Sequence, residues 1–247
     1  MVKKISPKVS IIITSYNYED YIIECVESCL NQKGFNDFDV IVVDDGSSDA
    51  TISLLKGISD SRLKVYQNQN RGIEFSSNYG IKVSNADYVV RVDADDKLSP
   101  DYLGEIVPLI ENSGYAFVYS NYYIFNANSE VIDKSELPPF NKEEIFNRGD
   151  FLATGTLYRK KTLKNVEFYS ESVKNCGLEN YELILKIIDE SNKGALNEDH
   201  LFYYRRHSLN LSEKKKKRIV SYGKSLMKNT YNREYKTNKF HPYKLEL

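Results

Sequence analysis

A chain of 247 residues, 41% hydrophobic and 13% aromatic, can bury a core for one large domain and is not disordered by composition. Its three cysteines, Cys25, Cys29 and Cys176, exclude a disulfide framework and read as buried, reduced thiols of a cytoplasmic protein, with no signal-peptide pattern and no apolar run long enough to span a bilayer. The net charge of −1 hides an asymmetry: from Glu213 onward eleven Lys and Arg stand against three Asp and Glu, which leaves residues 1–212 acidic.

The first half alternates between two kinds of segment. Residues 9–14 (VSIIIT) form a buried strand closed by the turn Ser15-Tyr16-Asn17. A helix is predicted over 20–30, with Ile22, Ile23, Val26, Cys29 and Leu30 on one side. A second buried strand at 38–43 ends in Asp44-Asp45-Gly46-Ser47-Ser48-Asp49, where Ser48 or Asp49 can cap a helix over 51–58. A strand at 63–66, a helix from Gly72 to about 83 and an apolar run at 86–90 follow. This alternation predicts an α/β fold, a mostly parallel sheet covered by helices on both faces. Ligands of such sheets bind beyond the carboxyl ends of the strands, so residues 14–17, 44–48 and 93–96 should converge on one crevice.

The run at 86–90 leads into Arg91-Val92-Asp93-Ala94-Asp95-Asp96. Carboxylates packed this closely repel unless a positive charge sits among them. A hard divalent cation, Mg²⁺ or Mn²⁺, meets that need by binding carboxylates together with substrate phosphate oxygens. The alternative is an acidic turn ahead of a helix starting at Ser99-Pro100-Asp101. No glycine-rich phosphate loop of either common pattern is present, so a diphosphate would rely on metal and on basic side chains, for which Arg205, Arg206 and His207 are candidates; the alternative there is an exposed basic strand end. The second half is less regular: strands at 117–119, 122–125, 154–158 and 201–205, helices at 179–190 and 213–229, and a loop at Leu137-Pro138-Pro139-Phe140.

Taken in order, Val9-Ser10-Ile11-Ile12-Ile13-Thr14-Ser15-Tyr16-Asn17, Asp44-Asp45-Gly46-Ser47-Ser48-Asp49, Asn70-Arg71-Gly72, Asp93-Ala94-Asp95-Asp96 and Tyr203-Tyr204-Arg205-Arg206-His207 resemble the family 2 glycosyltransferases over roughly residues 8–212. The resemblance implies the GT-A fold, with a nucleotide-binding half over about 1–98, an acceptor half over 99–212 and a basic tail over 213–247. It also implies metal-dependent, inverting transfer of a sugar from a nucleoside diphosphate sugar to an acceptor hydroxyl, in bacterial surface-polysaccharide or lipid-linked glycan synthesis. By position, Thr14 and Tyr16 would contact the nucleobase, with Arg71 in the same nucleotide site. Asp45 would accept a hydrogen bond from the base's ring N–H, Asp93 would meet the ribose or the metal, Asp95 would be the main metal ligand, and Asp44 would organise its turn. A carboxylate acceptor at position 45 selects a base with an imide N–H, which favours uracil or thymine over cytosine, and a UDP-sugar is the expected donor.

One position departs from the pattern. An inverting transfer needs a base near the acceptor hydroxyl. The family carries Glu-Asp at the start of a second-half helix, with the Asp as base; here the segment is Gly177-Leu178-Glu179-Asn180-Tyr181-Glu182-Leu183, and an amide takes no proton. At about 100° per residue, Asn180 lies on the apolar face made by Leu183, Ile184, Ile187 and Ile188, Glu179 at its edge and Glu182 well away. Three readings follow. Glu179 serves as base; or the base is disabled, natural or introduced, leaving a nucleotide-sugar-binding domain; or Asn180 is a polar residue satisfied at a helix N-terminus.

In the basic tail, Ile219, Val220, Leu226 and Met227 give a helix an apolar side. Such a helix either rests on an anionic inner-membrane surface, near a lipid-linked acceptor, or packs on the domain with its charges solvated. Tyr222, Tyr231 and Tyr235 interleave with the basic residues, but no nucleic-acid motif appears and no nucleic-acid partner is expected.

Overall fold

β-Branched and aliphatic runs build the centre of the molecule: β1 (Val9–Ser15), β2 (Phe38–Asp44), β3 (Leu63–Gln67) and β4 (Tyr88–Asp93). β1 and β2 are buried along their whole length, as strands covered on both faces must be. The computed structural model describes residues 6–150, 154–207, 210, 215–239, 241 and 247. α1 (Ile22–Leu30), α2 (Thr51–Lys56) and α3 (Ile73–Val83) connect these strands, which pair in parallel in the order β3-β2-β1-β4. The chain therefore grows outward from β1 to β3 and then crosses back to the other side of β1. That reversal is where a crevice opens at the strands' carboxyl ends. Register brings the key residues there: Thr14 pairs with Asp93 and with Val43, and Ser15 with Asp44. α3 lies close on the sheet because Gly80 has no side chain; a Cβ there would stand 2.4 Å from Ile12 Cγ2.

The second half continues the same sheet with mixed polarity. After β5 (Lys97–Leu98) and α4 (Tyr102–Glu111) come β6 (Phe117–Phe125), β7 (Val131–Ser135), α5 (Lys142–Arg148), β8 (Leu157–Arg159), α6 (Lys160–Asn165), α7 (Glu179–Asp189), β9 (Gly194–Arg205) and α8 (Lys216–Tyr231). β8 joins β4 and β6, antiparallel to both; β9 runs parallel to β6 and antiparallel to β5. The strands expected at 117–119 and 122–125 are one strand, with irregular pairing to β9 around Asn121. β9 starts at Gly194 rather than near 201 because its first half is polar and half-exposed, without an apolar run to mark it. The strand expected over 154–158 is only Leu157–Arg159, since Gly155 takes φ 85° and turns the chain. β5, β7, α5 and α6 occupy segments read as loop or left unassigned; β7 is an exposed edge strand.

The basic segment is seated on the body. α8 buries Ile219, Leu226 and Met227, Tyr222 Oη donates to Glu182 at 2.7 Å, and Tyr235 Oη donates to the Gly149 carbonyl at 3.1 Å. The start expected at Glu213 lies outside the described residues. Among the described residues no helix is long and apolar enough to cross a membrane.

Candidate active site

A cavity of about 510 Å³ opens at the crossover point. Its walls include Thr14, Tyr16, Asp45, Asp93 and Asp95 from the first half and Glu179, Asn180 and His207 from the second. The cysteines are all buried free thiols, and none lines it.

The turn after β2 is self-supporting. Asp44 is fully buried, and its Oδ1 accepts from the Gly46 and Ser47 amides at 3.1 and 2.9 Å. Asp45 therefore points elsewhere: its two oxygens accept the Arg71 and Gly72 amides at 2.8 and 2.7 Å, at the head of α3. Each oxygen keeps a second acceptor site. Gly72 allows this geometry, because its φ is 101° and a Cβ would stand 2.7 Å from Lys174 Cγ. Arg71 itself does not line the cavity; its guanidinium stacks 3.6 Å from the Phe75 ring centre. Tyr16 is 43% exposed and offers a ring face at the cavity wall.

The three carboxylates after β4 have different surroundings. Asp93 Oδ1 accepts from Arg91 Nη2 at 2.9 Å and lies 3.5 Å from Thr14 Oγ1. Burial pushes its pKa up to about 6; Arg91 pulls it down, while Asp95 and Glu179 push it further up. Asp95 Oδ2 lies 2.9 Å from His207 Nε2 and 3.3 Å from Asn210 Nδ2. Asp96 is turned inward, accepting the Arg205 amide at 2.9 Å and Thr154 Oγ1 at 2.8 Å, and burial raises its pKa strongly. It is scaffold.

The basic candidates at the end of β9 separate. His207 faces the cavity beside Tyr21, with ring centres 5.1 Å apart. Arg205 does not line it. This guanidinium is 1% exposed, donates to the Asp95 carbonyl at 2.7 Å, and pairs with Glu24. It holds the turn under Asp95 in place. Arg206 also lies off the cavity wall, its guanidinium 6.0 Å from the Tyr204 ring centre.

Across the cavity, α7 presents Glu179 and Asn180 on its first turn. Asn180 Oδ1 accepts from Tyr169 Oη at 3.1 Å. Glu179 Oε1 accepts from Arg91 Nη2 at 3.1 Å, so one nitrogen of Arg91 serves both Asp93 and Glu179. Arg91 is 4% exposed, and among the described residues its Nε and Nη1 have no hydrogen-bond partner; Tyr169 lies 5.6 Å from the guanidinium carbon. Arg91 and Tyr169 were not foreseen as site residues. The available signal was an arginine inside the apolar strand run YVVRV, since a buried charge requires a partner. Glu74, Cys176 and Glu179 also approach within 4.8 Å of one another. That cluster is not a convincing cation site, because Glu74 already accepts the Asn175 and Cys176 amides at 2.9 Å each and Glu179 already pairs with Arg91.

Residues 10–185 match the model of glycosyl transferase family 2. The chain belongs to that family. It is 28% identical over 214 residues to the Escherichia coli UDP-Glc:alpha-D-GlcNAc-diphosphoundecaprenol beta-1,3-glucosyltransferase WfaP, covering 86% of this chain and 82% of that protein. It is 30% identical over 182 residues to the Campylobacter jejuni GalNAc(5)-diNAcBac-PP-undecaprenol beta-1,3-glucosyltransferase, covering 68% and 57%. An uncharacterized glycosyltransferase of Haemophilus influenzae is 37% identical over 119 residues, 47% of this chain and 36% of that protein. The chain thus spans less than two thirds of the latter two relatives. Among solved structures, Staphylococcus aureus TarS 1-349 in complex with UDP-GlcNAc superposes with a TM-score of 0.69 at 20% identity over 91% of this chain and 74% of that one. The mannosyltransferase PcManGT of Pyrobaculum calidifontis, in complex with GDP-Man and Mn²⁺, superposes at 0.67 and 17% identity over 87% and 61%. The family match and these likenesses show the GT-A fold for this chain.

Proposed function

We propose that the chain transfers a sugar from a UDP-sugar to a hydroxyl of a lipid-linked saccharide, with inversion and with a divalent metal. The observation that carries this reading is the one cavity that gathers Thr14, Tyr16, Asp45, Asp93 and Asp95 from the strand ends opposite Glu179, Asn180 and His207. Relatives whose names specify a UDP-Glc donor or undecaprenol-linked acceptors, and a structural neighbour bound to UDP-GlcNAc, support the choice of substrates.

In this reading Tyr16 offers its ring to the base, and Asp45, oriented by two amides, accepts the uracil ring N–H. The donor set fits a hard cation. Asp93 and Asp95 share the cavity, Asp93 pairs with Arg91, and His207 adds a nitrogen ligand beside Asp95. Asp95 and His207, with Asp93, would hold Mn²⁺ or Mg²⁺; when bound, the ion offsets negative charge on the diphosphate leaving group. Glu179 is the carboxylate available to take the acceptor hydroxyl's proton. A titration of UDP with Mn²⁺ and with EDTA tests the donor site: tighter binding with Mn²⁺, lost in Asp95→Ala, supports it, and equal affinity sinks the metal role.

A second reading, nucleotide-sugar binding without transfer, is favoured by the same helix turn. Asn180 carries no proton-accepting group, and Glu179 Oε1 is already engaged by Arg91 Nη2 at 3.1 Å. Turnover assays of Glu179→Gln and Asn180→Asp with a lipid-linked acceptor decide between the two.

A further inference from the structure

The basic helix α8 has no role in the cavity chemistry, yet its charge is strongly segregated. Lys216–Tyr231 contains Lys216, Lys217, Arg218, Lys224 and Lys228 and no acidic residue. Its apolar side is already occupied. Ile219, Gly223, Leu226 and Met227 are buried against the domain, and a Cβ on Gly223 would stand 2.6 Å from the Tyr235 ring. An amphipathic helix that inserts in a bilayer must turn its apolar face outward; α8 cannot do so without leaving the core. What it presents is charge.

That charge is ordered. At about 100° per residue, Lys217, Lys224 and Lys228 fall within roughly 40° of one another, a row about 16 Å long on one flank of the helix. All three are exposed, and among the described residues none forms an ion pair with an acidic side chain; Lys228 reaches only Asn232 Oδ1, at 3.3 Å. The N-terminal end of α8 stands at the cavity. Lys215 is part of the cavity wall, and Arg218 Nη2 donates to the Lys174 carbonyl at 2.8 Å. Lys174 in turn donates to Asn70 Oδ1 at 2.7 Å, beside the Asp45 site. Residues 1–212 are net acidic, so the net positive charge of the chain is concentrated in the segment that contains α8.

We propose that the exposed lysine row of α8 seats the protein on an anionic lipid surface by charge alone, with the cavity mouth next to the headgroups. Complementarity between a row of exposed lysines and anionic headgroups carries the proposal. The binding does not depend on the transferase reading; its use, delivery of a lipid-linked acceptor to Glu179, rests on that reading.

The test is flotation of the full chain with vesicles of phosphatidylcholine alone and of phosphatidylcholine mixed with phosphatidylglycerol. Binding is expected only to the mixed vesicles, and it should fall steeply as salt shortens the screening length. The triple variant Lys217→Gln, Lys224→Gln, Lys228→Gln should lose roughly tenfold or more in partition while keeping its melting temperature and UDP affinity. Equal partition of parent and triple variant would overturn the proposal. So would equal binding to neutral vesicles, binding that persists at high salt, or retention by duplex DNA without retention by vesicles. UDP titration of the same samples keeps the two ideas apart: failed flotation with intact UDP binding removes this proposal alone, and intact flotation without UDP binding removes the donor-site reading alone.

Discussion

The two walls of the cavity are held by different kinds of structure. On the donor side, Thr14 and Asp93 are register partners in adjacent parallel strands, and Asp45 is fixed by two backbone amides. On the acceptor side, Glu179 and Asn180 stand on one helix turn, and among the described residues each is located by a single side-chain hydrogen bond, from Arg91 and from Tyr169. A sheet ladder constrains position through many cooperative bonds, whereas a lone side-chain hydrogen bond is worth about 1 kcal/mol, or about 1.5–3 kcal/mol where charge is involved as at Glu179, and can be exchanged. A departure such as Asn180 can therefore stand in the second wall without disturbing the fold, whereas a change at Thr14, Asp45 or Asp93 meets the sheet and its turns directly.

The largest expected effect falls on the acceptor wall. If Glu179 is the base, Glu179→Gln lowers turnover by about 10²–10⁴-fold with UDP affinity intact. If the chain is a disabled variant, Asn180→Asp raises turnover by a comparable factor. Unchanged rates in both variants would place the base elsewhere in the second half.

Next is the residue that touches both walls. Arg91→Met leaves the buried Glu179 and the part-exposed Asp93 without their shared cation, and the expected loss is about 3–5 kcal/mol of unfolding free energy in a urea titration. A loss below about 1 kcal/mol would show that the two carboxylates are satisfied some other way.

The donor wall should discriminate bases more modestly. Cytosine would turn a bare acceptor nitrogen toward Asp45, so CDP should bind about 1–3 kcal/mol more weakly than UDP, measured by calorimetry. Equal affinities would refute the assignment of Asp45 to the base.

The smallest effect lies away from both walls. Burial, with Arg148 adding to it, lowers His241 from its ordinary 6.5 to about 4. The unfolded chain takes up a proton below about pH 6.5 that the folded chain refuses, so this group's stabilisation is present above that pH and is lost as pH falls toward about 4. Between about pH 7 and 5.5 it should remove about 1 kcal/mol, and His241→Gln should flatten that part of the stability profile.

The donor wall was largely legible in the sequence, because each of its strands is an apolar run that ends in polar residues at the carboxyl end. The turn role of Asp44 and the inward phase of Asn180 were legible too. The second half was harder for physical reasons. β5 has two residues, β7 is an exposed edge strand, and β9 begins with half-exposed polar residues, so none carries the burial pattern that marks a strand. Arg205 and Arg206 show another limit. A sequence displays positive charge but not its neighbours, and Arg205 is consumed by Glu24 and backbone carbonyls well before it could meet a phosphate.

The single Arg91 nitrogen shared between Asp93 and Glu179 has a thermodynamic consequence. A ligand that draws Asp93 toward itself weakens that carboxylate's claim on the guanidinium and strengthens the claim of Glu179. Occupancy of the donor wall is then linked to the state of the acceptor wall, and linkage is reciprocal: an acceptor that engages Glu179 must change UDP affinity by the same factor. A double-mutant cycle on Asp93→Asn and Glu179→Gln, read as UDP affinity, should return an interaction energy of about 0.5–3 kcal/mol, and strict additivity would show that the walls are energetically independent.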